Sequence, residues 1–434
     1  MIRTVFAGLA AVWLAVPALA AVDIQEVTSP GGIKAWLVED HSLPFAALEL
    51  RFRGGASLDA PGKRGAINLM TGLIEEGAGD LDAQGFAAAQ EGLGAHFGFD
   101  SDNDTLSISA RFLTENRDAS LELLKKGLTE PRFDQNAIDR VRAQVVSIIQ
   151  SDAQDPQSIA GNRWARDVFG DHPYGTDQNG TVEGLARLTQ ADMFEAKARV
   201  MARDRLYVAV AGDVTAAELG PMLDHLLGEL PDKGAEFPTP PQIAMRGGTT
   251  VVDFGSPQSV VVFGQHGIRR DDPDYFAAYV LNQIVGGSGF SARLMDEVRE
   301  KRGLTYGIAS YLIDMDLADT WQGSFASANE KVAQAVEVVR SEWARAATQG
   351  VTEDELRDAK TYLTGSYPLR FSGNEKIANI LAGMQLQGLP TDYVNTRNAR
   401  VEAVTLADVK RVAKRLMTPG DLYFVVVGRP VGLK

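Results

Sequence analysis

Residues 404–428 read VTLADVKRVAKRLMTPGDLYFVVVG, and residues 188–212 read LTQADMFEAKARVMARDRLYVAVAG. Set side by side they share Thr405/Thr189, Ala407/Ala191, Asp408/Asp192, Leu422/Leu206, Tyr423/Tyr207 and Gly428/Gly212. Each segment predicts the same unit: a threonine N-cap, a helix, a short turn, and an apolar strand closed by glycine. The unit recurs half a chain apart in 434 residues, the trace that duplication of one domain leaves. Residues 231–248, with Pro231, Pro238, Pro240, Pro241 and Gly247-Gly248, read as the linker. The expected domains are therefore 21–230 and 249–434, after a segment 1–20 treated below.

Working outward, the first half predicts strands over 33–38, 46–52 and 105–112 and helices over 65–76, 120–129 and 135–151. The second predicts strands over 249–254 and 259–264, a helix over 274–285, strands up to about 325, and helices over 330–348 and 353–365. The fold class is α+β: two homologous domains, each a mixed β-sheet with helices packed on one face. Joined by a stiff linker, the two halves should face each other as a clamshell half.

The N-terminus carries Arg3, an apolar run from Val5 to Val16, and Ala18-Leu19-Ala20 ahead of Ala21, the pattern of a secretory signal peptide cleaved after Ala20. A periplasmic location follows as an expectation, with no membrane span once the signal is removed. The chain has no cysteine, so disulfides and thiolate metal sites are ruled out. A formal charge of −14 argues against nucleic acid or an anionic membrane surface as partner.

A second stretch, residues 286–306, reads GGSGFSARLMDEVREKRGLTY. A glycine-rich turn leads to Ser291 as helix cap; Leu294 and Val298 share one side of a short helix ended by Gly303, and a strand begins at Tyr306. Alternation of Tyr306, Ile308, Ser310 and Leu312 puts Tyr306 across the turn from Arg299. The lysine of a phosphate-binding loop is absent. In the 65–76 helix, Ala66, Leu69, Met70, Leu73 and Ile74 form an apolar face opposite Asn68, Thr71, Gly72 and Glu75. Glu75 and Glu76 are adjacent and read as a solvated helix end. His41, His96, His172, His225 and His266 are scattered, and His172, in Asp171-His172-Pro173-Tyr174, reads as a turn histidine.

Taken with Asp155-Pro156-Gln157-Ser158-Ile159-Ala160, Phe169-Gly170-Asp171-His172-Pro173-Tyr174-Gly175 and the duplication, these features resemble the pitrilysin/insulinase family of zinc peptidases, in its half-length bacterial branch. The resemblance implies an inverted zinc motif, H-x-x-E-H, on the first helix, with two histidine ligands and a glutamate base on one face. Here those slots hold Asn68, Thr71 and Gly72, and residues 141–150, where the third ligand belongs, contain no carboxylate. The resemblance gives Arg299 and Tyr306 the family's role of holding peptide and stabilising the tetrahedral intermediate. It implies no cofactor in this chain, zinc in a paralogous partner subunit, a heterodimer of the two, and a peptide or unfolded protein as substrate. An inert peptidase-like scaffold is the alternative.

Overall fold

The computed structural model describes residues 23–287, 289 and 291–433. The expected signal peptide, 1–20, and the turn residues Ser288 and Phe290 lie outside the described residues.

In the first half, β1 (Gln25–Thr28), β2 (Lys34–Glu39), β3 (Phe45–Arg53), β4 (His96–Ser101), β5 (Thr105–Leu113) and β6 (Leu206–Gly212) form one sheet in the order β1-β2-β6-β3-β5-β4. In the second, β7 (Gly248–Asp253), β8 (Gln258–His266), β9 (Ile308–Asp314), β10 (Asp319–Ala328) and β11 (Tyr423–Gly428) run β9-β10-β8-β11-β7. Pairing is antiparallel except for β2 with β6 and β7 with β11. Leaving out β1, the two sheets match strand for strand in order and sense, so the repeated sequence unit is a repeated fold. Thr189 and Thr405, read as caps, both close capping boxes, with Asp192 and Asp408.

Strand periodicity explains how each sheet acquires two packed faces. In β3, Ala46, Leu48, Leu50 and Phe52 point to the helices of their own half, where they join Leu69, Met70, Leu73, Val208 and Val210 in one core. Ala47, with Ala209 and Ala211 of β6, faces the other way. That floor of small side chains lets a helix of the second half, Asn374–Leu386, lie directly on the first sheet through Ala378, Leu381 and Ala382. The reciprocal contact is made by the Pro156–Phe169 helix, whose Ala160, Trp164 and Val168 pack on Val262, Val425 and Val427 of the second sheet. Each half thus lends the other a helix. Residues 231–247 form neither helix nor strand, and Ile243 and Met245 pack into this second contact.

A polar seam joins the same halves. The Tyr174 hydroxyl donates to Asp104 and accepts from the Leu317 N–H at 3.2 Å, while the Asp316 N–H donates to Asp104 at 3.2 Å. Burial raises the Asp104 carboxyl to about 6, against the Tyr174 hydrogen bond, which lowers it. Among the described residues no helix is long and apolar enough to cross a membrane.

Two elements differ from expectation. The helix read over 65–76 is regular only over Ala66–Thr71 and then tightens into turns, with Leu73 N–H donating to Met70 O at 3.0 Å and Glu76 N–H to Leu73 O at 3.1 Å. The strand read from Tyr306 starts at Ile308, because Thr305 and Gly307 are held in a bend by the Thr305 hydroxyl.

Candidate functional site

The turn after the Tyr275–Gly286 helix needs glycine for space: a Cβ on Gly286 would stand 2.2 Å from Ser310 Oγ. The chain re-enters a helical turn as a π-helix, Met295–Glu300, in which the Lys301 N–H reaches back to Asp296 O at 2.9 Å. No side chain caps it, so Ser291 does not serve as the expected cap. Leu294 and Val298 are buried on the expected side. Gly303, at φ 58°, ends the turn in the left-handed region.

Three contacts fix this turn. Arg293, buried, makes a bidentate pair with Glu355 at 2.5 and 2.7 Å and donates to Gly350 O at 3.0 Å. The Ser327 hydroxyl donates to Leu304 O at 2.6 Å. Thr305 Oγ1 donates to Ala326 O at 2.6 Å.

On that support the guanidinium of Arg299 lies 5.3 Å from the centre of the Tyr306 ring, a cation–π contact, and pairs with Glu300 at 3.0 Å. Tyr306 is 90 % exposed and stands on a cleft of about 480 Å³ between Gln258, Gly303 and Lys331, immediately before the edge strand β9. The two residues read as a pair are therefore adjacent in space. The contact between them uses the face of the ring, which leaves the hydroxyl of the exposed Tyr306 unobstructed by it.

The positions that would carry zinc are filled differently. The Asn68 side-chain amide donates to Asn179 at 2.8 Å and accepts from Ser101 at 3.3 Å. Thr71, expected on the polar face, is buried, with its hydroxyl donating to Ile67 O one turn back at 2.8 Å. A Cβ on Gly72 would come 3.2 Å from Val141, on the helix where the third ligand belongs. Zinc takes imidazole nitrogen, thiolate or carboxylate, and this set offers an amide, a committed hydroxyl and a hydrogen atom, so the residues do not fit the metal. Among the described residues no group of three histidine, cysteine or carboxylate side chains is placed so that it could hold a metal ion.

The features discounted from sequence are structural. Glu75 is exposed and Glu76 pairs with Arg140. His172 accepts from the Tyr174 N–H at 3.2 Å and contacts Thr239 O at 3.1 Å. His41 pairs with Asp213 at 2.7 Å and His225 with Glu122 at 2.9 Å.

A duplicated α+β scaffold, with Asn68, Thr71 and Gly72 at its first helix and no metal-holding group among the described residues, defines the class as a peptidase-like fold without a metal site in the part described. Residues 34–181 match the family model described as insulinase (peptidase family M16), and residues 187–363 match that of the peptidase M16 inactive domain. The chain belongs to the M16 family, as a half-length member without the zinc site. It is 27 % identical over 390 residues to the non-peptidase homolog YmxG of Helicobacter pylori, covering 90 % of each chain. It is 26 % identical to an uncharacterized zinc protease of Streptomyces coelicolor, over 91 % of this chain and 87 % of that one. A crystal structure of a peptidase M16 inactive domain from Pseudomonas fluorescens superposes with a TM-score of 0.88 at 29 % identity, covering 95 % and 99 % of the two chains.

Proposed function

We propose that this chain is the non-zinc subunit of a heterodimeric peptidase, exported to the periplasm by its N-terminal segment. A paralogous subunit supplies zinc, the bound water and the glutamate base; this chain supplies Arg299 and Tyr306. The observation that carries the reading is the Arg299–Tyr306 contact at 5.3 Å, on a turn anchored by the part-buried Arg293–Glu355 pair, in a chain whose own metal positions are Asn68, Thr71 and Gly72. The exposure of Tyr306 beside the open edge of β9 suits a substrate peptide that pairs as an added strand and places its carbonyl at the pair. A guanidinium and a phenol both donate to an oxyanion, and losing one such donor typically costs on the order of 3 kcal/mol of transition-state stabilisation.

The test is co-expression with a zinc-bearing half-length relative, followed by a peptide-cleavage assay. Arg299→Ala or Tyr306→Phe in the pair should lower kcat about a hundredfold while leaving assembly intact. The isolated chain should be silent. A second reading, an inert scaffold or assembly subunit, draws on the name of the Helicobacter relative as a non-peptidase homolog. Under it neither substitution changes what the complex does.

A further inference from the structure

A cavity of about 310 Å³ lies between the Tyr275–Gly286, Asn374–Leu386 and Tyr393–Ala403 helices, and three guanidiniums line it: Arg270, Arg370 and Arg397. No aspartate or glutamate contributes to its lining. In a chain with a net charge of −14, a concave site with three cations and no carboxylate runs against the overall composition.

Two of the three guanidiniums, Arg270 and Arg397, are hydrogen-bonded by neutral partners. Arg270 donates to the hydroxyls of Tyr275 and Tyr393, at 2.6 Å each, and its carbon lies 4.5 Å from the centre of the Tyr275 ring. Arg397, 3 % exposed, donates to Leu363 O at 2.7 Å, Asn398 at 2.8 Å and the Tyr279 hydroxyl at 3.0 Å, and lies 4.5 Å from the centre of the Tyr367 ring. Arg370 is exposed, at the rim, and among the described residues its guanidinium makes no hydrogen bond or ion pair. Asp314, which acts on Arg270 from outside the cavity, is engaged by that residue's backbone N–H. Burial raises the Tyr275 phenol and pushes Tyr367 up to about 12, so neither ring supplies a negative charge at neutral pH.

A buried cation is costly to keep without a counter-charge, and a fork of N–H donors flanked by aromatic faces matches a planar anion on an apolar body. We propose that this cavity binds a ligand with an anionic head, carboxylate or phosphate, on an aromatic or apolar body. The site is separate from Arg299 and Tyr306, and the inference does not rest on the heterodimer reading. It shares Arg370, Asn379 and Ile380 with the lining of a larger cavity, about 810 Å³, along the same Asn374–Leu386 helix, so a ligand that extends past this rim meets a second concave surface.

Calorimetric titration of the full chain tests this with benzoylglycine, its uncharged amide and phenyl phosphate as probes. One of the two anions should bind at least tenfold more tightly than the amide, and the tighter of them identifies the head as carboxylate or phosphate. Arg370→Ala, at an exposed position where folding is not at stake, should weaken that binding at least tenfold, while Arg357→Ala, at an exposed position outside the cavity lining, should not. Equal binding of acid and amide, no binding of either anion at millimolar concentration, or full affinity in Arg370→Ala would each overturn the proposal.

Discussion

Trp164, from the first half, packs directly over Gly264, in the central strand of the second sheet: a Cβ added at Gly264 would lie 2.8 Å from Trp164 Cζ2. The same Cβ would lie 3.0 Å from Trp321 O of the neighbouring strand, so neither side can yield. Gly264→Ala should therefore destabilise the protein by about 1–3 kcal/mol through overpacking. Denaturant unfolding of the wild type and the variant would measure it.

Trp164 itself separates packing from hydrogen bonding. It is 2 % exposed, and its indole N–H has no hydrogen-bond partner among the described residues. Trp164→Ala should cost about 3–5 kcal/mol, whereas Trp164→Phe, which keeps most of the ring and removes the unpaired donor, should cost less than about 1.5 kcal/mol. Equal losses in the two variants would mean that the ring volume does not carry the contact.

Ala378 sits on the floor made by Ala47 and Ala211. Ala378→Leu should lift the Asn374–Leu386 helix from the first sheet at a cost of about 1–3 kcal/mol and raise its amide hydrogen exchange. Leu369→Ala, at a residue 76 % exposed in the preceding loop, should change stability by less than about 0.5 kcal/mol.

Glu49 is 7 % exposed at its side chain; Arg51 approaches within 2.9 Å, but among the described residues Oε2 makes no aligned hydrogen bond. Burial raises its carboxyl to about 7, against the Arg51 charge and helped by Glu375. A folded value above the unfolded one means that the native state holds the proton longer. The stabilising effect is complete below the ordinary value of 4.5 and is lost as pH rises through about 7. Glu49→Gln should gain up to on the order of 3 kcal/mol over the wild type at pH 8 and little at pH 4, read from unfolding curves at the two values. A constant difference across that range would contradict the assignment.

Arg293 and Tyr306 should divide support from chemistry. Arg293→Ala leaves Glu355 without its bidentate partner and should cost about 2–4 kcal/mol. Tyr306→Phe, at an exposed ring, should leave the melting temperature within error of the wild type while the paired activity falls. A stability loss in Tyr306→Phe would make the residue structural.

The sequence by itself determined the duplication, because the Thr-capped helix and apolar strand ending at Gly212 and Gly428 are set by local chemistry: a side-chain cap, an apolar period and a glycine. It also determined that Asn68, Thr71 and Gly72 cannot hold zinc, since ligation depends on residue type. It brought Arg299 and Tyr306 together correctly, because one short turn separates them. Only the tertiary structure decided which sheet the Pro156–Phe169 and Asn374–Leu386 helices cover. An amphipathic helix declares that it needs an apolar surface but not which one, and here the small residues Ala47, Ala209 and Ala211 and the glycine at 264 select the partner from the other half. The arginine-lined cavity belongs to the same category. Arg270, Arg370 and Arg397 lie far apart in the chain, and a void exists only where the side chains of several packed helices stop short of one another.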